Sequence, residues 1–213
     1  MSNGIKNDRI SIIGTGSIGK ALGTLLLKKG YEIVYGSRNP ANGHNLPGIE
    51  HNQATVKTIG EAAAASDIII IAVPYPALED TIPAIAPWAA SKVIVDATNP
   101  FALSAEGRII SALGTEETAG SRMASLLPDS HVARAFTHVA HELLLNRGMS
   151  ESGFWAMAIA ADNPEAKQVA VQLVKDSGFV PVDLGTLAES FPLDPGGRLF
   201  PHMFTEGDLR ANL

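Results

Sequence analysis

The sequence predicts an α/β protein of the Rossmann type: a doubly wound, mainly parallel sheet in a single domain with a short C-terminal tail. Three observations carry that prediction. The β-branched run Arg9 to Ile13 breaks at a glycine-rich turn and passes straight into an amphipathic segment. Two later segments, "DIIIIAVP" and "KVIVDATNP", are apolar without alternation, the pattern of strands covered on both faces. Strand-like and helix-like segments then alternate along the whole chain, as βα units require.

Each element has its own local reason. In "GTGSIGKALGTLLLKKG", Ile18, Ala21, Leu22, Leu25 and Leu26 recur at helical spacing and form one apolar stripe. Lys28 and Lys29 complement the C-terminal end of that helix, and Gly30 suits the position that ends it. Tyr31 to Ser37 reads as the second strand. Asn39 to Asn52, rich in Pro, Gly and Asn, reads as a loop. A weak strand at Thr55 to Thr58 and a helix at Glu61 to Ser66 follow. Between the two buried strands, "PALEDTIPAIAPW" reads as a short helical connection broken by prolines. After a polar loop come a helix in "ETAGSRMASLLP", a strand in "HVARAFTH", a short helix or turn in "HELLLNRG" and a strand in "FWAMAIAAD". "NPEAKQVAVQLVKDSG" is a helix opened by Pro164 and ended by Gly178, and "FVPVDLG" is the last strand. Residues 1–190 are thus expected to form the nucleotide-binding domain. Residues 191–213 have no period and read as a tail that packs on the domain or on a partner subunit.

Composition narrows the function classes. The chain has 213 residues, 46% hydrophobic and 18% charged, enough for a full core. A net charge of −6, with no basic run longer than Lys28-Lys29, argues against a nucleic-acid surface. There is no cysteine, so a disulfide framework or thiolate metal site cannot form. The apolar runs are too short to span a membrane, and "MSNGIKNDRI" lacks the apolar segment of a signal peptide. These features lead to the expectation of a cytoplasmic protein with no membrane or nucleic-acid partner.

Gly14, Thr15, Gly16, Ser17, Ile18 and Gly19 match G-x-G-x-x-G after a strand and at the opening of a helix. Gly14 would permit the tight turn, Gly16 would let a pyrophosphate approach the backbone, and Gly19 would let helix and strand pack closely. An NAD-selective fold shows a carboxylate about twenty residues further on, at the end of the second strand. Here that place holds Gly36, Ser37, Arg38 and Asn39. A hydroxyl and a guanidinium suit a 2′-phosphate, so the expected cofactor is NADP(H). Ligands of such sheets lie beyond the C-terminal strand ends. That brings in Ala72, Val73, Pro74 and Tyr75 after the fourth strand, and Thr98, Asn99 and Pro100 after the fifth. Thr137 and His138 end the sixth, with His138 a candidate contact to a bound ring.

Taken together, "GTGSIGKALGTLLLKKGYEIVYGSRNP", "DIIIIAVPYPAL", "VIVDATNP" and "VARAFTHV" resemble the NADP-dependent oxidoreductases of the coenzyme F420 reductase type. The same pattern occurs in the cytosolic domain of the STEAP ferric reductases. The resemblance runs from about Arg9 to Ser190. It implies hydride exchange between NADPH and a small, flat flavin-like substrate, with F420, FMN or FAD as the second ring. It also implies that Thr15 to Ile18 contact the pyrophosphate, Ser37 and Arg38 the 2′-phosphate, and Pro74 and Asn99 the nicotinamide. Ring-to-ring hydride transfer needs orientation more than acid–base side chains, because the cofactors carry the chemistry. The sequence departs from the family at Thr137, where His or Asn is common, and in its short tail.

Other residues carry plainer readings. His138, His141 and Glu142 have metal-compatible spacing but no further ligands, so no metal site is expected. Asp96 is expected to bond local backbone N–H groups, and Trp88 and Trp155 to pack. Phe191, Phe200 and Phe204 are expected to dock, on the domain or in a homodimer. Two other functions stay open: a non-catalytic NADP(H)-binding redox sensor, and a small imine or keto-acid reductase completed by a dimer.

Overall fold

A computed structural model of the chain describes residues 9–114 and 116–213; the first eight residues of the stretch read above for a signal peptide lie outside them. The chain runs β1 (Arg9–Ile13), α1 (Ser17–Leu27), β2 (Glu32–Gly36), β3 (Ala54–Lys57), α2 (Ile59–Ala64), β4 (Ile68–Ile71), α3 (Leu78–Ala89) and β5 (Val93–Asp96). It continues with β6 (Phe101–Leu103), β7 (Ile109–Ser111), α4 (Ala119–Leu126), β8 (His131–Arg134), α5 (His141–Ser150), β9 (Trp155–Ala161), α6 (Pro164–Asp176) and β10 (Val180–Asp183). Last come β11 (Phe204–Thr205) and α7 (Glu206–Ala211).

The main sheet has the order β10-β9-β8-β5-β4-β1-β2-β3. Its strands pair in parallel except at β9, which runs antiparallel to β8 and to the short β11. β4 is four consecutive isoleucines, all buried, as a strand covered on both sides demands. One apolar cluster joins Leu22 and Leu25 of α1, Leu144 of α5 and Leu173 of α6 to one face. A second joins Ala62, Ile82 and Met123, from α2, α3 and α4, to the other. The fold is therefore a doubly wound α/β sheet, with its strand order reversing between β1 and β4. That reversal leaves a crevice at the C-terminal strand ends.

Local chemistry sets the helix starts. Thr58 and Glu61 form a reciprocal capping box on α2. Asn163 Oδ1 accepts from the backbone N–H groups of Glu165 and Ala166, and Pro164 occupies the first turn of α6.

Three elements differ from the sequence reading. α3 is one continuous helix through Pro83 and Pro87. Both prolines lie on its exposed face, where the carbonyls that lose their partners are open to solvent. Trp88 on the same helix is 48% exposed and not a packing residue. The polar loop after β5 contains a separate antiparallel hairpin, β6–β7. The C-terminal residues hold a strand and a helix despite their lack of period, because tertiary contact stabilises such short elements. Leu193, Leu199 and Leu209 pack there against Ala156, Ala158, Ala160 and Val182.

Candidate functional site

The β1–α1 turn forms the base of the crevice. Gly14 has φ +115° and donates its N–H to the Gly36 carbonyl at 3.1 Å. A Cβ there would collide with the Ala72 carbonyl oxygen, so this turn needs glycine twice over. A Cβ on Gly19 would strike the Gly14 carbonyl oxygen, which is how closely α1 lies on the turn. Gly16 differs: a Cβ there would meet no atom within 4 Å, since this glycine faces open space. Gly16 is also the N-cap of α1, with no side-chain cap and no acidic residue in the first turn. The first-turn N–H groups of Ser17, Ile18 and Gly19 thus present a positive dipole end suited to an anion.

Across the crevice, β2 ends in Gly36 and delivers Ser37 and Arg38. The Ser37 N–H donates to the Lys57 carbonyl, and Ser37 Oγ accepts from the Asn39 N–H at 3.1 Å. Arg38 is exposed and has no ion-pair partner among the described residues. A cleft of ≈ 420 Å³ joins the two sides. Of the sequence-predicted residues, it brings together Gly14, Thr15, Gly16, Ser37, Arg38, Asn39, Ala72, Val73 and Pro74. Gly36, Asn42, Ile59, Ala77 and Thr81 complete the lining, and no carboxylate is among them. Thr81 and Ala77 come from α3 and the turn before it; no motif announces them, since only the packing of α3 beside β4 places them there.

Ser17, Ile18 and Gly19 stand in the helix turn beside this lining. Asn99 and Thr137 lie further along the strand ends. Phe136, at φ +63°, turns the chain out of β8, and the Thr137 carbonyl accepts from Asn99 Nδ2 at 2.8 Å. Asn99 Oδ1 and Thr137 Oγ1 are buried without a hydrogen-bond partner among the described residues.

His138 corrects an expectation. It is fully buried, and its Nε2 accepts from the Ala158 N–H at 3.1 Å. Its Nδ1 must then carry the proton and donate to the His202 carbonyl at 2.9 Å. Both ring nitrogens are spent on holding β9 to the C-terminal segment, so the ring is not available to a ligand. Burial pushes its pKa below the ordinary value and keeps it neutral. His141 pairs with its neighbour Glu142, Nε2 to Oε1 at 3.2 Å. Asp96 holds the Thr98 N–H and hydroxyl through Oδ1 and Arg134 Nη1 through Oδ2, so its role is internal. Arg134, missed in the sequence, is fully buried between Asp96 and Asp194.

Comparison with known proteins adds to this geometry. Residues 9–100 match the family described as NADP oxidoreductase, coenzyme F420-dependent. The F420-dependent NADP reductase of Methanothermobacter thermautotrophicus is 28% identical over 191 residues, covering 84% of this chain and 82% of that protein. Over residues 9–100 the chain is similar to the coenzyme F420-dependent NADP oxidoreductases. Metalloreductase STEAP3 of Rattus norvegicus is 29% identical over 198 residues, 91% of this chain but 37% of that protein. The chain thus spans little more than a third of the length of this STEAP relative. No helix among the described residues is long and apolar enough to cross a membrane. A solved structure of a hypothetical protein from Sinorhizobium meliloti superposes with a TM-score of 0.80 at 24% identity, over 93% of this chain and 95% of that one. That likeness supports the fold. The stretch shared with the F420-dependent oxidoreductase family, 9–100, includes every residue lining the cleft.

Proposed function

We propose that this chain binds NADP(H) in the β1–α1–β2 cleft and passes a hydride between NADPH and a flavin or deazaflavin acceptor of the coenzyme F420 kind. The observation that carries the reading is Arg38: a guanidinium without an ion-pair partner among the described residues, beside Ser37, on a cleft with no lining carboxylate. A 2′-phosphate suits that corner, and a carboxylate there would repel it. The uncapped start of α1 suits the pyrophosphate, and open space over Gly16 leaves room for it. Ile59 and Ala77 offer apolar surface to a purine, while Ala72 to Pro74 lead toward Asn99 at the nicotinamide end.

Bound NADPH supplies the hydride; the protein's part is to fix distance and angle and to keep water out. Asn99, anchored to the Thr137 carbonyl, has an unpartnered Oδ1 able to accept from an amide. The similarity to an F420-dependent NADP reductase and to a metalloreductase supports the oxidoreductase class.

Two measurements test the reading. Calorimetry compares NADP+ with NAD+, with tighter binding of NADP+ expected. Stopped-flow absorbance then follows NADPH oxidation with F420, FMN and FAD in turn; a protein that binds NADP+ yet reduces none of them is not this enzyme.

A further inference from the structure

Two lines of hydrogen bonds run from the C-terminal segment to Asn99, the residue read above as bordering the nicotinamide. The first starts at Asp194. Its Oδ1 accepts from Arg134 Nη2 at 2.6 Å, and Arg134 Nη1 donates to Asp96 Oδ2 and, at 3.1 Å, to the Thr98 carbonyl. Asp96 Oδ1 accepts from the Thr98 N–H and hydroxyl, so the residue just before Asn99 is held at three atoms. Asp96 and Arg134 are register partners at the ends of β5 and β8, and Asp96, Thr98, Arg134 and Asp194 are all buried. The second line starts at the His202 carbonyl, which accepts from His138 Nδ1 at 2.9 Å. His138 follows Thr137, whose carbonyl accepts from Asn99 Nδ2. One line fixes the backbone entering Asn99; the other fixes the carbonyl that aims its side chain. Apolar packing would hold the segment equally well, whereas a guanidinium between two carboxylates adds a fixed direction. With Nδ2 engaged, the buried Asn99 Oδ1 has no donor among the described residues, a cost that a ligand N–H would remove.

We propose that Asp194 and His138 are positioning residues, through which the C-terminal segment sets where Asn99 presents Oδ1 to the carboxamide of a bound nicotinamide. Neither residue lines the cleft, so both act through Asn99 and not by contact with the nucleotide. The segment beyond residue 190 then does more than dock: it tunes recognition of one half of the dinucleotide. The adenine half, held by the β1–α1 turn and Arg38, lies outside its reach. The inference rests on the NADP(H) reading above and adds which distant residues govern the nicotinamide end.

The test is calorimetry on the full chain with three probes: NADP+, its 3-acetylpyridine analogue, and 2′,5′-ADP. The analogue carries a methyl ketone in place of the carboxamide and has no N–H for Asn99 Oδ1; 2′,5′-ADP lacks the nicotinamide half altogether. The variants are Asp194→Asn and His138→Leu, one on each line, and Leu209→Ala, which loosens the packing of the same segment but touches neither line. Asp194→Asn has one oxygen for two donors, Arg134 Nη2 and the Ala119 N–H, so the guanidinium must shift. Melting temperatures establish which variants are folded at the assay temperature, and one folded variant of the first two is enough to decide. Wild type is expected to prefer NADP+ over the analogue about three- to tenfold, the range of one neutral hydrogen bond. Asp194→Asn and His138→Leu are each expected to bring that preference below about twofold while 2′,5′-ADP affinity holds. Leu209→Ala is expected to lower the melting temperature and keep the preference. The proposal is overturned if wild type does not distinguish the two dinucleotides, or if a folded Asp194→Asn or His138→Leu protein keeps the wild-type preference. It is also overturned if Leu209→Ala loses the preference as fully, which would mean general loosening. Those outcomes leave 2′,5′-ADP binding, and with it the nucleotide reading, standing; a wild type that binds none of the three probes overturns both.

Discussion

Arg134 Nη2 and Asp194 Oδ1 lie 2.6 Å apart with both side chains fully excluded from solvent. The pair ties the end of a central strand to the C-terminal segment. Asp194 Oδ2 also accepts from the Ala119 N–H at 2.8 Å, at the start of α4, so one carboxylate fastens three parts of the chain. Removing it leaves a buried cation half-compensated and a helix N–H without a partner. Asp194→Ala is expected to cost about 3–5 kcal/mol in urea unfolding, the range for breaking a buried pair from one side. A loss below about 1 kcal/mol, the worth of a surface pair, would show that the site is solvated.

His138 gives the fold a pH dependence of known sign. Its folded pKa lies below the ordinary 6.5, because burial disfavours the charged ring. The unfolded chain therefore binds the proton more readily. The stability held by the neutral ring is complete above pH 6.5 and is lost as pH falls toward the folded pKa. Unfolding midpoints between pH 7.5 and 5 should fall for wild type, and less steeply for His138→Gln. Parallel slopes would show that other groups dominate.

Two of the fingerprint glycines, Gly14 and Gly16, should fail in different ways. Gly14→Ala meets both a positive φ and the Ala72 carbonyl, so it is expected to cost about 1–3 kcal/mol of stability. Gly16→Ala meets nothing within 4 Å at φ −77°, and should leave stability within about 0.5 kcal/mol. Its methyl instead projects where the pyrophosphate is proposed to sit, so NADP+ binding should weaken at least tenfold. Thermal unfolding beside calorimetry on both variants separates packing from ligand approach.

Much of this was legible in the sequence. The isoleucines of β4 and the stripe Ile18, Ala21, Leu22, Leu25 and Leu26 carry their own period, and the glycine turn has a mechanism that fixes its place. Ser37 and Arg38 were legible because their distance from Gly14 is set by one helix and one strand. What stayed hidden depends on distant packing. Pro83 and Pro87 look like breaks until one sees that they share an exposed face. β11 is two residues long and exists because β9 extends beyond the end of β8. His138 reads as a site residue at a strand end. Only the Ala158 N–H on one side and the His202 carbonyl on the other show that it is structural. Arg134 reads as an ordinary strand residue until Asp194, 60 positions later, is folded against it.

The central claim is that Arg38 selects NADP(H) through the 2′-phosphate, and calorimetry of Arg38→Ala with NADP+ and NAD+ tests it most directly. A charge-assisted hydrogen bond contributes about 1.5–3 kcal/mol, so NADP+ affinity should fall at least tenfold while NAD+ affinity holds. Equal losses for the two nucleotides, or no loss for either, would contradict the account.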